Sequence, residues 1–526
     1  MFCAPSADME LMDDLDAPIA HSRGAKAKTG ALRGFVWPYI GMLLCAFAAI
    51  VLANYAWQHA VGFNDAYQHM DYRAGLRLPI HLVEYTPNGW AVALGLWLSV
   101  GCFAGLGVVA ARRLNGARAS QILLVSLTVL ALALSFCPIM LSGDLYAYLI
   151  YGHVYGLYGI NPYVILTPLT PHDDIALASS LGFWGNPPPS DNYGPLWTLI
   201  TGGLSRMQAG ISFWLQAWSY RLLGVLSLVI ACAGLLRCRQ KVQRGDRTRD
   251  VALFAFHPLV LYEAAVESHN DLLMVALAIW GFALSDSAPL IAGVLLGASM
   301  AVKFVSIIAL PFLVTRVIRK DGALSGILCG LVALTVFAIC FKPFWIGPPT
   351  LYSLINQGRF LAMSPAWLAV EPFLRLHLQN TPALPWALPL VGHPSWPRII
   401  EFLFITGFLV VLVGSIIRFS RDGKWSGLWL AITAFLWASP VIQPWYLVWL
   451  APAITTRERF WSAYAWWFGV LIFLRYALGL EMPAQSAKTT LLKTIEFMAM
   501  TLIFLAVPIL IASRPARFTA RAREHV

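Results

Sequence analysis

The densest group of chemically capable side chains lies between Asp144 and Tyr163. Tyr148, Tyr151 and Tyr155 follow Asp144 at helical spacing, which puts all four on one stripe. A helix carrying tyrosines this way suits a membrane interface, where the ring is apolar and the hydroxyl is wet. Asp144 has two compatible readings. It caps the helix, and its carboxylate can take a proton from an attacking hydroxyl as a general base. Gly159-Ile-Asn161-Pro-Tyr163 closes the segment. Farther along come Asp191-Asn-Tyr193-Gly-Pro195, then Glu263, then Glu267-Ser-His269-Asn270-Asp271, and then Lys303 in an otherwise apolar stretch. An ionisable residue at such a depth is a functional candidate by default. The plainer readings stay open beside it: Lys303 snorkels to the interface, Asn270 or Asp271 caps a helix, and His269 is a buried, hydrogen-bonded imidazole.

The elements that must position these residues are membrane helices. Of 526 residues, 59% are hydrophobic and 12% charged; soluble domains carry about 25% charged residues. Apolar segments recur from 36 to 512. They exclude a soluble enzyme, a disordered scaffold and a secreted disulfide module. The net charge of +11 is a topology signal, not a nucleic-acid signal. The basic clusters at 23–33, 112–118, 237–249, 316–320, 418–424, 457–459 and 514–523 mark the cytoplasmic face. Threading the apolar segments between them gives about 14 crossings with both termini cytoplasmic. Several segments, including 251–266, 289–302, 304–316 and 444–456, fall short of the roughly 20 residues a straight span needs. Broken or tilted helices lining a cavity are expected there. The domain division is a disordered cytoplasmic tail (1–35), an N-terminal helix pair (36–118), a central module (119–342) with an outer loop (142–210), an extracytoplasmic loop (343–397), C-terminal helices (398–513) and a basic cytoplasmic tail (514–526). The outer loop has no Lys or Arg before Arg206, and 195–207 reads as an outer or re-entrant helix. The eight cysteines form no CxxC pair, so neither a disulfide nor a zinc site is expected. No GxxxxGK[ST] loop occurs, which argues against a nucleotide-driven pump.

Taken in order, Asp144-x-x-x-Tyr148, Gly159-x-Asn161-Pro-Tyr163, Tyr193-Gly-Pro195, His257-Pro with Tyr262-Glu263, Glu267-Ser-His269-Asn270-Asp271 and Ala301-Val-Lys303 form a set. It resembles the bacterial polyprenol-phosphate-mannose-dependent mannosyltransferases of the GT-C class, above all the alpha-(1→6)-mannopyranosyltransferases. Two positions depart from that pattern: His257 stands in place of Asn, and Glu267-Ser in place of small glycines. The resemblance implies an all-α GT-C fold with short extracytoplasmic helical loops. It implies a hexosyltransferase of the bacterial inner (cytoplasmic) membrane, working on its outer side with a polyprenyl-phosphate sugar as donor. The acceptor is a glycan or lipid, the other partners are membrane lipids, and no nucleic acid and no cofactor beyond the lipid-linked donor are involved. Asp144 takes the catalytic role, deprotonating the acceptor hydroxyl for one inverting displacement. The leaving phosphate is already charged and needs electrostatic stabilisation more than a proton. Lys303, His269, Arg475 and Arg359 are the candidates for that phosphate, although Arg359, like Arg398, also reads as a loop contact. Tyr148, Asn161, Tyr163, Tyr193, Glu263, Asn270 and Asp271 are candidates for the acceptor or the sugar. Trp367, Trp396, Trp445 and Trp449 could stack on sugar rings or flank a lipid chain. No metal site is expected, since the paired acids Asp173 and Asp174 read as solvated.

The alternative is a secondary transporter or lipid flippase, which predicts inverted repeats and charges near helix centres. No repeat relates the two halves of this sequence, and its ionisable residues gather at the outer ends of helices.

Overall fold

Proline and glycine placement explains several of the helix starts in the computed structural model. It describes residues 23–59, 89–114, 118–137, 142–164, 188–238, 244–351, 396–439, 443–456 and 458–477, with single positions from 506 to 513. Every regular element among them is helical. Arg359, Trp367, Asp173 and Asp174 lie outside the described residues, as do the side chains of Arg398, Arg475 and Trp396.

The N-terminal pair is α1 (Arg23–His59) and α2 (Gly89–Arg113). The central module follows with α3 (Ala119–Leu134), α4 (Asp144–Gly156), α5 (Pro195–Met207), α6 (Phe213–Arg237) and α7 (Arg244–Ala255). It continues through α8 (Pro258–Ala265), α9 (Asp271–Leu284), α10 (Pro289–Val302), α11 (Leu310–Asp321) and α12 (Ala323–Phe341). The C-terminal half adds α13 (Trp396–Asp422), α14 (Ser426–Ala438) and α15 (Arg459–Ala477).

Five of the described helices are long and apolar enough to cross a membrane, within α1, α2, α6, α12 and α13. Four shorter apolar helices, α3, α9, α10 and α14, stand among them. Several expected short crossings are broken. The 251–266 segment divides into α7 and α8, because Pro258 has no N–H to continue the ladder and starts a new helix instead. The 304–316 segment is a 3₁₀ turn (Phe304–Ala309) running into α11. The 444–456 segment is two successive 3₁₀ turns, Pro444–Trp449 and Ala451–Thr455, each with proline near its start.

The outward faces carry large apolar side chains. Leu44, Phe47, Val125, Trp214, Leu331 and Val410 are all more than half exposed, a surface that a water-soluble monomer rarely presents and that lipid would cover. Inside, small residues let backbones approach. Gly293 and Gly297 on α10 face Cys329 and Ala333 on α12 so closely that a Cβ would lie 2.5 and 2.4 Å from those carbonyl oxygens. This is the small-xxx-small contact of membrane helix pairs. Gly156 holds α4 against Gly202 of α5 in the same way, at 2.3 Å, and so fixes the helix that Asp144 begins.

Candidate active site

Asp144 sits at the first position of α4. The cap is Gly143, with no side-chain capping bond, so the capping reading is corrected: Asp144 is a first-turn acid. Its backbone N–H bonds the Ser142 hydroxyl at 3.1 Å. Its carboxylate lies at the positive end of the helix dipole. The interfacial reading of the tyrosine stripe is corrected too, because Tyr148 and Tyr151 are buried. Both Tyr193 and Trp197 meet the Tyr148 ring edge-on at 4.9 Å. Its hydroxyl accepts the Asn270 backbone N–H at 3.2 Å.

The turn between α8 and α9 brings the next group. Ser268 adopts a left-handed φ of 58°, uncommon for a residue with a Cβ, and the chain reverses sharply there. His269 is thereby folded back over Glu263, and its Nδ1 makes a short hydrogen bond to Oε2 of that carboxylate. On the other side of the ring, Nε2 is 3.1 Å from the Ser142 hydroxyl and 3.6 Å from Asp144 Oδ2. The Trp445 indole stacks flat on the imidazole at 4.1 Å. Glu267, one of the two departures from the family pattern, accepts the Ser142 N–H at 3.0 Å. The other, His257, bonds the Trp466 carbonyl of α15 at 3.1 Å.

Lys303 stands where α10 ends in extended backbone. Its ammonium donates to both oxygens of Asp271, at 2.9 and 2.8 Å, and lies over the rings of Tyr446 (4.8 Å) and Trp449 (5.6 Å). The Trp449 indole N–H also donates to Asp271. Asn270 holds the N-cap position of α9, as one reading expected, but makes no side-chain capping bond. Its amide is buried, and neither side-chain atom has a hydrogen-bond partner among the described residues. Exposure separates the roles: the Glu263, His269 and Asp271 side chains are 0% exposed, against 13% for Asp144 and 16% for Lys303.

The described ends of the 142–210 stretch are clipped together by Asp191. This carboxylate accepts the Thr198 hydroxyl at 2.7 Å and the Tyr193 N–H at 2.8 Å. Tyr163 donates its hydroxyl to the Tyr193 carbonyl at 2.9 Å. Asn161 bonds the Phe344 carbonyl at 2.7 Å and accepts the Tyr163 N–H at 3.1 Å. Burial pushes the Asp191 carboxyl up to about 7, against the pull of its hydrogen bonds. The clip holds the Tyr193 hydroxyl within hydrogen-bonding reach of Asp144. Gly194 rests on the end of α10, donating to Val302 at 3.1 Å; a Cβ there would lie 2.2 Å from the Ala301 oxygen.

Asp144, Tyr148, Tyr193, Glu263, His269, Asn270, Asp271 and Lys303 therefore converge. Asn161 and Tyr163 use their polar atoms on the loop framework behind them. Arg475 lies on α15, and Arg359 falls outside the described residues. Sequence reasoning missed Ser142 and Tyr446, and it named Trp445 and Trp449 without a role. The aromatic run Pro444-Trp-Tyr-Leu-Val-Trp449 was the available signal. Among the described residues, no group of three or more His, Cys, Asp or Glu could hold a metal ion.

A family model described as alpha-(1→6)-mannopyranosyltransferase, N-terminal domain, matches residues 36–319. No curated protein and no solved structure matches the chain. The matched stretch contains every converging residue from Asp144 to Lys303, and it spans more than half of the chain. The chain thus belongs to the alpha-(1→6)-mannopyranosyltransferase family.

Proposed function

We propose that the protein transfers mannose from a polyprenyl-phosphate donor to a hydroxyl of a glycan or lipid acceptor, on the outer side of a bacterial cytoplasmic membrane. It crosses that membrane about 14 times with both termini inside. Asp144 is the base. The observation that carries this reading is the exposure contrast: in a cluster of buried acids, Asp144 is the carboxylate left partly open, at the start of its helix. The acceptor O–H gives its proton to Asp144 while the oxygen attacks the anomeric carbon. The bond to phosphate breaks, and its electron pair leaves with the polyprenyl phosphate.

Lys303, the other partly open group, stabilises that phosphate. Its tie to Asp271 and its seat over Tyr446 and Trp449 hold the ammonium in one place. Asn270 offers a buried amide with no partner among the described residues, suited to a sugar hydroxyl, since an unmet buried donor costs about 1–3 kcal/mol. No cofactor or metal enters the scheme.

Purified protein in lipid should move radiolabelled mannose from polyprenyl-phosphate mannose to acceptor, and a nucleotide sugar should not replace that donor. Asp144→Asn should lower kcat by about 10²–10⁴. Wild-type turnover in that variant would refute the base assignment. Lys303→Ala should raise the donor KM, and an unchanged donor KM would refute the phosphate assignment.

A further inference from the structure

We propose that Glu263 and His269 form a positioning pair for Asp144, and that His269 is not a ligand of the donor phosphate. The proposal rests on the reading of Asp144 as the base.

The geometry argues against a phosphate ligand. The imidazole is 0% exposed, covered on one face by Trp445 at 4.1 Å. Its two nitrogens are committed, Nδ1 to Glu263 and Nε2 toward Ser142 and Asp144. A phosphate oxygen has no open nitrogen to reach. Sequence position alone had grouped His269 with Lys303; the fold turns the two side chains to different partners, His269 to Asp144 and Lys303 to Asp271.

The same geometry suits a second layer behind a base. A carboxylate on Nδ1 fixes the ring's orientation and favours a proton on the imidazole. Nε2 then presents its hydrogen to the Ser142 oxygen at 3.1 Å, with Asp144 Oδ2 alongside at 3.6 Å. Ser142 in turn accepts the Asp144 N–H, so one side of the first turn of α4 is bound to the ring. A charged ring at that distance draws Oδ2 inward and so sets the orientation of the carboxylate toward the acceptor. The charged and titratable groups around His269 are Glu263 from α8, Asp144 from α4 and Asp271 on α9. Beyond them lie Glu267, on the Ser142 N–H, and Tyr148, on the Asn270 N–H. Lys303 is held off by its own pairing with Asp271.

The test is the kcat–pH profile and the donor KM of the full-length protein in lipid, for wild type, His269→Gln, Glu263→Gln and Ser142→Ala. Glutamine keeps a donor but removes the charge. In His269→Gln, the acidic limb of kcat should move up by about one pH unit. Maximal kcat should fall by about 10–100-fold, with the donor KM within about two-fold of wild type. Glu263→Gln should move the limb in the same direction. Ser142→Ala, which removes no buried charge, should lower kcat a few-fold at constant donor KM. This outcome stays readable if the glutamine variants fail to fold. A donor KM raised ten-fold or more in His269→Gln with the limb unmoved would make it a phosphate ligand and overturn the proposal, as would unchanged kcat in all three. Asp144→Asn in the same assay separates the two readings: its full activity sinks the base and the pair together, whereas its inactivity beside an unmoved limb in His269→Gln sinks the pair alone.

Discussion

Asp191 shows how a single buried carboxyl couples the 142–210 stretch to pH. An ordinary aspartate titrates near ~3.9; burial pushes Asp191 up to about 7. The folded protein therefore holds this proton more tightly than the unfolded chain does. The stabilising contribution is complete below the ordinary value, declines as pH rises from about 4 to about 7, and is flat above that window. Asp191→Asn keeps an acceptor for the Tyr193 N–H and removes the titration. Its melting temperature should change less between pH 5 and pH 8 than that of wild type, measured in the same detergent. Ser268 carries a different local cost. Its φ of 58° is worth about 1–2 kcal/mol for a residue with a Cβ. Ser268→Gly should leave activity and melting temperature nearly unchanged, because relief of strain offsets the added freedom of the unfolded chain. Ser268→Val should lower both sharply, since a β-branched residue resists that backbone. Asp144, His269 and Lys303 were legible in the sequence because ionisable groups stand out against apolar surroundings. Ser142 and Tyr446 were not, for each is tied to the site through a partner more than a hundred positions away, His269 for the serine and Lys303 for the tyrosine.

At the scale of helices, hydropathy found the long segments, and proline marked where the short ones break. Pro258 and Pro289 open α8 and α10 as their position predicts. The 444–456 segment reads like another short crossing by composition. It folds as 3₁₀ turns because Pro444 and Pro452 interrupt it and because its indoles and tyrosine ring settle on His269 and Lys303. That outcome depends on tertiary contacts that periodicity does not encode. The α10–α12 pair sets the position of Lys303 in turn. Gly297→Val would drive a side chain into the Ala333 carbonyl, at a cost of about 1–3 kcal/mol, and shift the end of α10. The expected result is a lower melting temperature with a raised donor KM. A stable variant with unaltered KM would show that Lys303 is positioned independently of this contact.

The described residues form a helical assembly whose exposed apolar faces call for lipid, and its orientation is open to direct measurement. In a background lacking the eight native cysteines, Ala209→Cys should react with a membrane-impermeant maleimide on intact cells. Arg421→Cys should react only after permeabilisation. The reverse pattern would invert the topology and put Asp144 on the cytoplasmic side. The stretch matched by the family model ends at residue 319, yet Trp445, Tyr446 and Trp449 cover His269 and Lys303 from beyond it, and His257 is moored to Trp466. The two halves are therefore joined at the site by direct contacts. A recombination joining the first half of one homologous gene to the second half of another would leave the aromatic turn facing a site it did not evolve with, so compensating changes at 257, 269, 303 and 444–449 should travel together through the lineage.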